Sequence, residues 1–592
     1  MDIRERKDVP VEFTWDFTPV FESDAAWEKA YAEAEKLVDA IPAVAGTLGK
    51  SAAALKKGLD AVIAAEERVE RVYLYSMLKK NTDNGDSSLQ TMNGRATTLI
   101  IKLSTVCSFI DPEILAISPD TLASMMKDPS LANYRHFIED IDRNRPYTKD
   151  AETEKLLAMM QEPAATAGNA FDMFEAVDVT FPTINVDGKK VQLTNGNFGV
   201  YRESENREVR RRAFAALFGE FYKYRNTIAA LYAGNVKNDN FFAKVRGYKS
   251  ACEMALFADN APVSVYDSLV EAIHDAFPIM GRYLELRRRA LGLKKLHMYD
   301  LYCPMIEGVD IKVDFEEAKK MVKAACAPLG KEYAGLLDRA FNERWIDVYE
   351  NKGKTTGAYS CGVYGAHPYV LLNYSGTLDD AFTLAHELGH CMHSFFSDRE
   401  NDYVNHDYKI MVAEVASTVN EVLLTRYLLS TETDPTRRAY ILNHFLEGFR
   451  TTVFRQTLFA EFERKAHELD AEGTPLTAET LSSVFRKLNL SYYKGAEVDS
   501  VQDIEWARIP HFYNAFYVYK YATGFCSAVT IAKKILEENG AENYLRFLTT
   551  GGSDYPIEEL KIAGVDLTKP DAVASAMEEF DRSISELEAL IG

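Results

Sequence analysis

Cysteine is scarce and unpaired in this chain. There are seven in 592 residues, Cys107, Cys252, Cys303, Cys326, Cys361, Cys391 and Cys526, with no Cys-x-x-Cys among them. An odd, scattered set does not build a disulfide frame, so free and buried thiols are expected. Positive charge is also short: 68 Lys and Arg face 89 Asp and Glu, a formal charge of -21. A polyanionic backbone would be repelled by such a surface, which argues against a nucleic-acid partner. No run approaches the roughly 18 apolar residues of a membrane span. The charged opening MDIRERKDVPVEFTWDF lacks the apolar centre of a secretory signal. A cytoplasmic location with no membrane partner is therefore expected. Repeats and low-complexity linkers are missing too. What is present is 47% apolar and 27% charged residues, the balance of a folded protein able to bury a sizeable core. The length predicts two to four structural units, or one large lobe with additions.

Helical periodicity dominates residues 24–131, 203–291 and 313 to the C-terminus. Strand signals are few. VDVTFPTINVDGKKVQLTNG alternates about Asp187-Gly188, a preferred hairpin turn. PYVLLNY, Pro368 to Tyr374, is a second β-prone piece, bounded by Gly362 and Gly365 before it and Ser375-Gly376 after it. It leads into a helix that Thr377 and Asp380 open with a capping box. The class read from these patterns is mainly α.

Inside that helix stands His386-Glu387-Leu388-Gly389-His390. Histidines four apart lie on one helical face a turn apart, so both imidazoles can reach one zinc ion. Glu387 is rotated to the side of the pair, where it can reach a water held by the ion and act as general base. Such a pentapeptide arises by chance in roughly 1–2% of chains of this composition, so context has to decide. A catalytic zinc needs a third protein ligand. The metzincin continuation requires glycine and histidine seven and ten positions after His386, but His393 and Phe396 stand there. The alternative is Glu414 in KIMVAEVASTVNEVLLTRYLL, a helix apolar around most of its circumference and hence expected to be buried. Glu414, Thr418 and Glu421 form a narrow polar stripe on it, and a carboxylate buried there is costly unless paired or bound to metal. Glu421 either orients a ligand histidine from behind or pairs with an arginine or lysine. His393 reads as a hydrogen-bonded helix histidine rather than a ligand, His406 as a solvated loop residue, and His367 as a residue able to touch substrate.

Together these residues resemble the thimet oligopeptidase group of zinc metallopeptidases, and within it the oligoendopeptidase F family. The resemblance is carried by His386-Glu-Leu-Gly-His390-x-Met-His393 and by Glu414 opening Glu-Val-Ala-Ser-Thr. It extends to TWDFTPVF, RGYKSACEMAL, HPYVLLNYSGTLDDAFTLAHELGH, PHFYNAFYVYKYATG and GGSDYPIEELKIAGVDL, and so over almost the whole chain. It implies a bilobed helical shell around a deep substrate channel, with a few short β-strands next to the zinc site. It also implies one zinc ion per chain and short unstructured oligopeptides as substrates. It places an exposed strand edge, Pro368 to Tyr374, beside the zinc, where peptide backbone could pair with it. The Gly362 and Gly365 loop then either allows close approach or is simply a turn.

The family also uses a late histidine and tyrosines to hold the tetrahedral intermediate. In IPHFYNAFYVYKYATG, Tyr513, Tyr517 and Tyr521 recur every four residues, as on one helical face, with His511 just before them. A core helix would favour Leu or Phe, whereas buried tyrosine hydroxyls need polar partners. His511 and Tyr517 are carried over as oxyanion donors, and Tyr513 and Tyr521 as candidates to contact substrate.

The expectation is thus a zinc endopeptidase with ligands His386, His390 and Glu414 and base Glu387. The rivals are a zinc carboxypeptidase on a similar shell and a peptide-binding protein without catalysis. The expected organisation is an N-terminal helical region over 1–110, a small helical domain ending in a hairpin over 111–200, and the catalytic domain over 201–592.

Overall fold

The stretches of helical periodicity fold as helices, which hold 71% of the residues, and strands are confined to two small sheets. The chain is mainly α. The computed structural model describes residues 4–306, 309 and 311–591. Two units are present, each gathered from three separate stretches. Met1–Pro146, Asp310–Tyr427 and Ile531–Gly564 make the first, and Tyr147–Val309, Leu428–Thr530 and Val565–Gly592 the second. All seven cysteines are free, and Cys107 and Cys361 are the two that are only half-buried. Among the described residues no helix is long and apolar enough to cross a membrane.

In the first unit, the long helices Ala52–Thr82 and Ser87–Cys107 are started by Ser51 and Asp86, whose side chains accept from backbone N–H groups of the first turn. Their apolar faces close over Trp15 and Trp27 into a core that continues to Tyr369 and Leu371. The sheet at that end has β3 (Ile346–Asp347), β4 (Tyr359–Cys361) and β5 (Tyr369–Leu371) in the order β3-β5-β4. β5 is parallel to β3 and antiparallel to β4. The expected strand Pro368 to Tyr374 is therefore shorter, and it is the central strand rather than an exposed edge. Its side chains are wholly buried and both its flanks are taken. Continuous apolar residues mark a strand covered on both faces, which PYVLLNY had already displayed.

The N-terminal segment is tied onto this sheet. Trp15 Nε1 donates to the carbonyls of Trp345 (3.0 Å) and Val370 (2.9 Å). Buried Asp347 is paired with Arg6 and, at 2.8 Å, with Lys354. Burial alone would raise the Asp347 pKa, but the two cations outweigh it and hold the carboxyl below its usual range. Past β5, Asp380 Oδ2 collects Ser375 N and Oγ (3.0 and 2.7 Å) and Thr377 N (2.9 Å), while Thr377 Oγ1 accepts from Asp380 N at 3.2 Å. The helix Leu378–Glu400 thus begins at a fixed point relative to the sheet.

In the second unit the expected hairpin forms from β1 (Thr183–Val186) and β2 (Lys189–Gln192), in register Thr183 with Gln192. Asp187 and Gly188 both have positive φ (48° and 86°), as a two-residue turn with primed geometry requires. In the helical core Phe462 stacks on Tyr232, meets Phe485 edge-on and lies tilted against Phe512. Buried Arg287 and Arg450 share Glu447, whose carboxyl burial would raise but the two guanidiniums pull down to about 2.

Glu559 in the first unit shows the opposite balance. Burial first, and Asp554 second, push its carboxyl to about 8, whereas its ordinary value is 4.5. The folded chain binds this proton more tightly than the unfolded one. Its contribution is therefore fully present below about 4.5 and is lost as pH rises through 8. Glu559→Gln should leave thermal unfolding near pH 4.5 almost unchanged and raise the midpoint at pH 8.5. Equal midpoints for both chains at pH 8.5 would count against it.

Candidate metal centre

The helix Leu378–Glu400 carries His386 and His390 one turn apart, and the two Nε2 atoms face each other at 3.2 Å. The following helix, Ile410–Thr431, brings Glu414 Oε2 to 3.4 Å from His386 Nε2 and 3.6 Å from His390 Nε2. A tetrahedral ion with bonds of about 2.0–2.1 Å sets its ligand atoms about 3.3–3.4 Å apart. The three atoms match that edge length, and their lone pairs converge on one point. The residues fit a metal. From behind, Glu421 Oε1 lies 2.5 Å from His386 Nδ1. Burial would lower the His386 pKa, but this carboxylate outweighs it and pushes it up to about 9. The His390 contact and both imidazole charges hold Glu414 down at about 2, against burial. Glu387 behaves differently. It is buried, its Oε2 has no hydrogen-bond partner, and burial lifts its pKa above the usual carboxylate value although both histidines oppose this.

Gly389 decides how closely these two helices approach. A Cβ there would stand 2.5 Å from Ala416 O and 2.6 Å from Ser417 Cα. Both are backbone atoms that cannot swing away. The helices therefore touch main chain to main chain at the level of the histidine pair. Asn420 pins the same crossing, donating from Nδ2 to Ala385 O at 3.0 Å while its Oδ1 accepts from Tyr333 OH at 2.9 Å. Ser417 Oγ donates to the Glu414 backbone carbonyl (3.0 Å) and reaches Oε2 (3.2 Å), which steadies that carboxylate. Sequence reasoning missed Gly389, Ser417 and Asn420. The available signals were a glycine within an interior helix and polar residues on a helix otherwise apolar all round.

Comparison with known proteins agrees with this geometry. The model of "Peptidase family M3" matches residues 200–579, and that of "Oligopeptidase F" matches residues 113–181. The chain belongs to peptidase family M3. It is 43% identical to oligopeptidase PepF of Bacillus subtilis, over 99% of this chain and 88% of that one. Among solved structures, a Chlamydophila abortus protein superposes with a TM-score of 0.94 at 34% identity, covering 100% of both chains. Oligoendopeptidase-F of Enterococcus faecium gives 0.73 at 39% identity, covering 96% and 99%. As a member of family M3 the chain is a metallo-oligopeptidase acting on oligopeptides.

The remaining residues singled out in this M3 chain fall into two groups. His393 is not hydrogen-bonded: it is fully buried, neither ring nitrogen has a partner, and its ring stacks on Tyr408 at 3.7 Å. Burial drops its pKa to about 3, so it packs as a neutral ring. His406 is not solvated either, since Nδ1 meets Asp398 Oδ1 at 2.9 Å. His367 is buried against Trp345 (ring centroids 4.8 Å apart, planes 5° from parallel) and turns Nδ1 to the Pro368 carbonyl at 2.9 Å. A ring covered in this way is withheld from substrate. Gly362 serves packing, because a Cβ would meet Ser394 Cβ of the motif helix at 3.1 Å.

The late segment, in the second unit, is not one helix. Pro510–Tyr513 is a short 3₁₀ turn, Phe516 has φ of +57°, and the α-helix starts only at Tyr519. The four-residue spacing of the tyrosines therefore does not place them on a common face. His511, Tyr517 and Tyr521 come together, with Tyr521 OH 3.4 Å from His511 Nε2 and the Tyr517 and Tyr521 rings 5.4 Å apart. Tyr513 turns away, stacks on Phe171 at 4.5 Å, and leaves its hydroxyl buried without a partner.

Gly389→Ala should cost about 1–3 kcal/mol of stability through overpacking and should lower the metal content of the purified protein, as Glu414 is levered off the histidine pair. Thermal unfolding and elemental analysis check both effects. An alanine variant with normal stability and full metal content would refute the backbone contact.

Proposed function

We propose that this chain hydrolyses internal bonds of short, unstructured oligopeptides, using one zinc ion held by His386 Nε2, His390 Nε2 and Glu414 Oε2. The observation that carries the reading is the convergence of those three atoms to 3.2–3.6 Å beside a Glu387 carboxyl that has no partner of its own. Bound there, zinc supplies Lewis acidity, polarising a carbonyl and bringing the pKa of a water to about 7.

Glu387 handles the proton. Its carboxyl, raised by burial, takes one at Oε2 from the attacking water and delivers it to the nitrogen of the departing amine. Glu421 accepts at His386 Nδ1 and so keeps the ring proton there, leaving the Nε2 lone pair on the side of His390 and Glu414. His511 and Tyr517 donate to the oxyanion. The family resemblance supports that role, as does the grouping of His511, Tyr517 and Tyr521 around an exposed imidazole. The endopeptidase reading is supported by the name of the Enterococcus faecium relative.

Glu387→Gln should retain about one zinc per chain and lose about 10³-fold or more in turnover of a short quenched peptide. Mass analysis of the unmodified enzyme's products should show internal cuts. Robust cleavage by the zinc-loaded glutamine variant, or release of single C-terminal residues alone, would sink the proposal.

Tyr517 and Tyr513 separate in a second test. Tyr517→Phe should lower kcat by about 10²-fold with KM nearly unchanged, because a donor to the intermediate is lost. Tyr513→Phe should leave kcat within about twofold, since its hydroxyl has no partner to lose. The reverse ranking would reassign the donor.

A further inference from the structure

The second unit encloses a cavity of about 30 Å³ whose wall includes Arg202, Arg450, Arg455, Arg508, Tyr302 and Tyr493. Four guanidiniums around so small a space is an unusual concentration of charge. Arginine cannot shed its proton inside a protein, so each one needs a counter-charge or water. The carboxylates do not suffice. Glu505 pairs with Arg455, and Glu447 is shared between Arg450 and Arg287. Glu203 stands 4.0 Å from Arg202, at the limit of an ion pair. Among the described residues nothing pairs with Arg508, and its Nε, shut off from solvent, donates to no group. Counting Arg287 with the four, five positive charges meet three negative ones.

The aromatic residues tell the same story. Arg202 and Arg450 lie over the Tyr302 ring, 3.9 Å and 4.2 Å from its centroid, so two cations bracket one phenol. Burial by itself would raise the Tyr302 pKa, yet Arg455, Arg450 and Arg202 draw it down to about 8. At neutral pH its hydroxyl still carries a proton and can donate. The Gln502 carboxamide oxygen is buried and unpartnered, and the side-chain nitrogen goes to Glu505.

We propose that this cavity binds one small monovalent inorganic anion of the chloride class, held by Arg508 and Arg450 with Tyr302 as neutral donor. A single water needs about 10–15 Å³ of such space, so about 30 Å³ admits a monatomic ion. The wall lies within the second unit and includes none of the residues assigned above to metal or proton transfer.

The test uses the full, metal-loaded chain. Thermal unfolding in sodium chloride should exceed that in sodium gluconate at equal ionic strength by about 2 °C or more, because an ion bound only by the folded state stabilises it. Sodium sulfate stabilises folded proteins in general, so any gain it gives should be equal in the parent and in Arg508→Gln. In Arg508→Gln the chloride response should vanish. In gluconate this variant should melt at or above the parent, since an uncompensated buried charge has been removed. Crystals soaked in bromide should show an anomalous peak in the cavity, a measurement that does not depend on any variant folding. The assignment requires both results: a cavity without bromide, or a chloride response that survives in Arg508→Gln, overturns it.

Discussion

Backbone contact at Gly389 sets the scale of the metal centre. His386 and His390 are placed by helix geometry alone, but a third ligand from another helix has to arrive within about 3.5 Å of both, and side chains between the helices would hold it off. With no Cβ at Gly389, Ala416 O and Ser417 Cα occupy the space a methyl group would fill. Glu414 then reaches the histidine pair through an ordinary side chain, and Glu421, two turns on, reaches the back of His386. Only because the helices are this close can both carboxylates of the second helix reach His386. Upstream, the starting point of the motif helix is set by the Asp380 cap and by β5, so the metal centre inherits its position from the sheet.

A second theme is how charge is managed when it is buried. Asp347 is enclosed with Arg6 and Lys354, and Glu447 with Arg287 and Arg450, each carboxylate accepting from two cations. Geometry of that quality makes an ion pair in the interior tolerable, because desolvation of the partners is offset by short, multiple hydrogen bonds. At the metal centre the pattern changes, since two imidazoles and a carboxylate bring their ligand-type atoms within 3.2–3.6 Å of one another and a further carboxylate, Glu421, backs His386. Around Arg508 it changes in the opposite sense, with donors exceeding acceptors. Each imbalance is the observation on which an ion is proposed there.

Much of this was legible before any coordinates. The capping box, the hairpin turn at Asp187-Gly188, the buried character of the Glu414 helix and the convergence of two histidines all follow from local rules with short range. The misreadings share a cause. PYVLLNY was recognised as β-prone, but whether a strand is central or at an edge depends on neighbours at 346 and 359. The tyrosines at 513, 517 and 521 fit a helical period, yet Phe516 adopts positive φ and breaks the face before the helix starts. His393 has the look of a polar group in need of a partner, and it is instead a neutral ring packed on Tyr408, because burial disfavours its charged form. In each case the periodic or compositional signal is present, and what overrides it is a backbone conformation or a packing neighbour that the signal does not encode.

The sequence by itself determined the helical class, the placing of His386 and His390 one turn apart, and the candidacy of Glu387 and Glu414, because residue type and helical pitch are local properties. Tertiary structure alone decided that the units are each gathered from three stretches of chain. It also decided that Gly389 is a point of main-chain contact, that Tyr513 parts company with Tyr517, and that four arginines and one carboxylate, Glu505, line one cavity. Those outcomes depend on distances between separate segments, such as those from Gly389 to Ala416 and from Phe171 to Tyr513. Such distances are set by packing and by the requirement that buried charge be matched, and no pattern along a single segment records them.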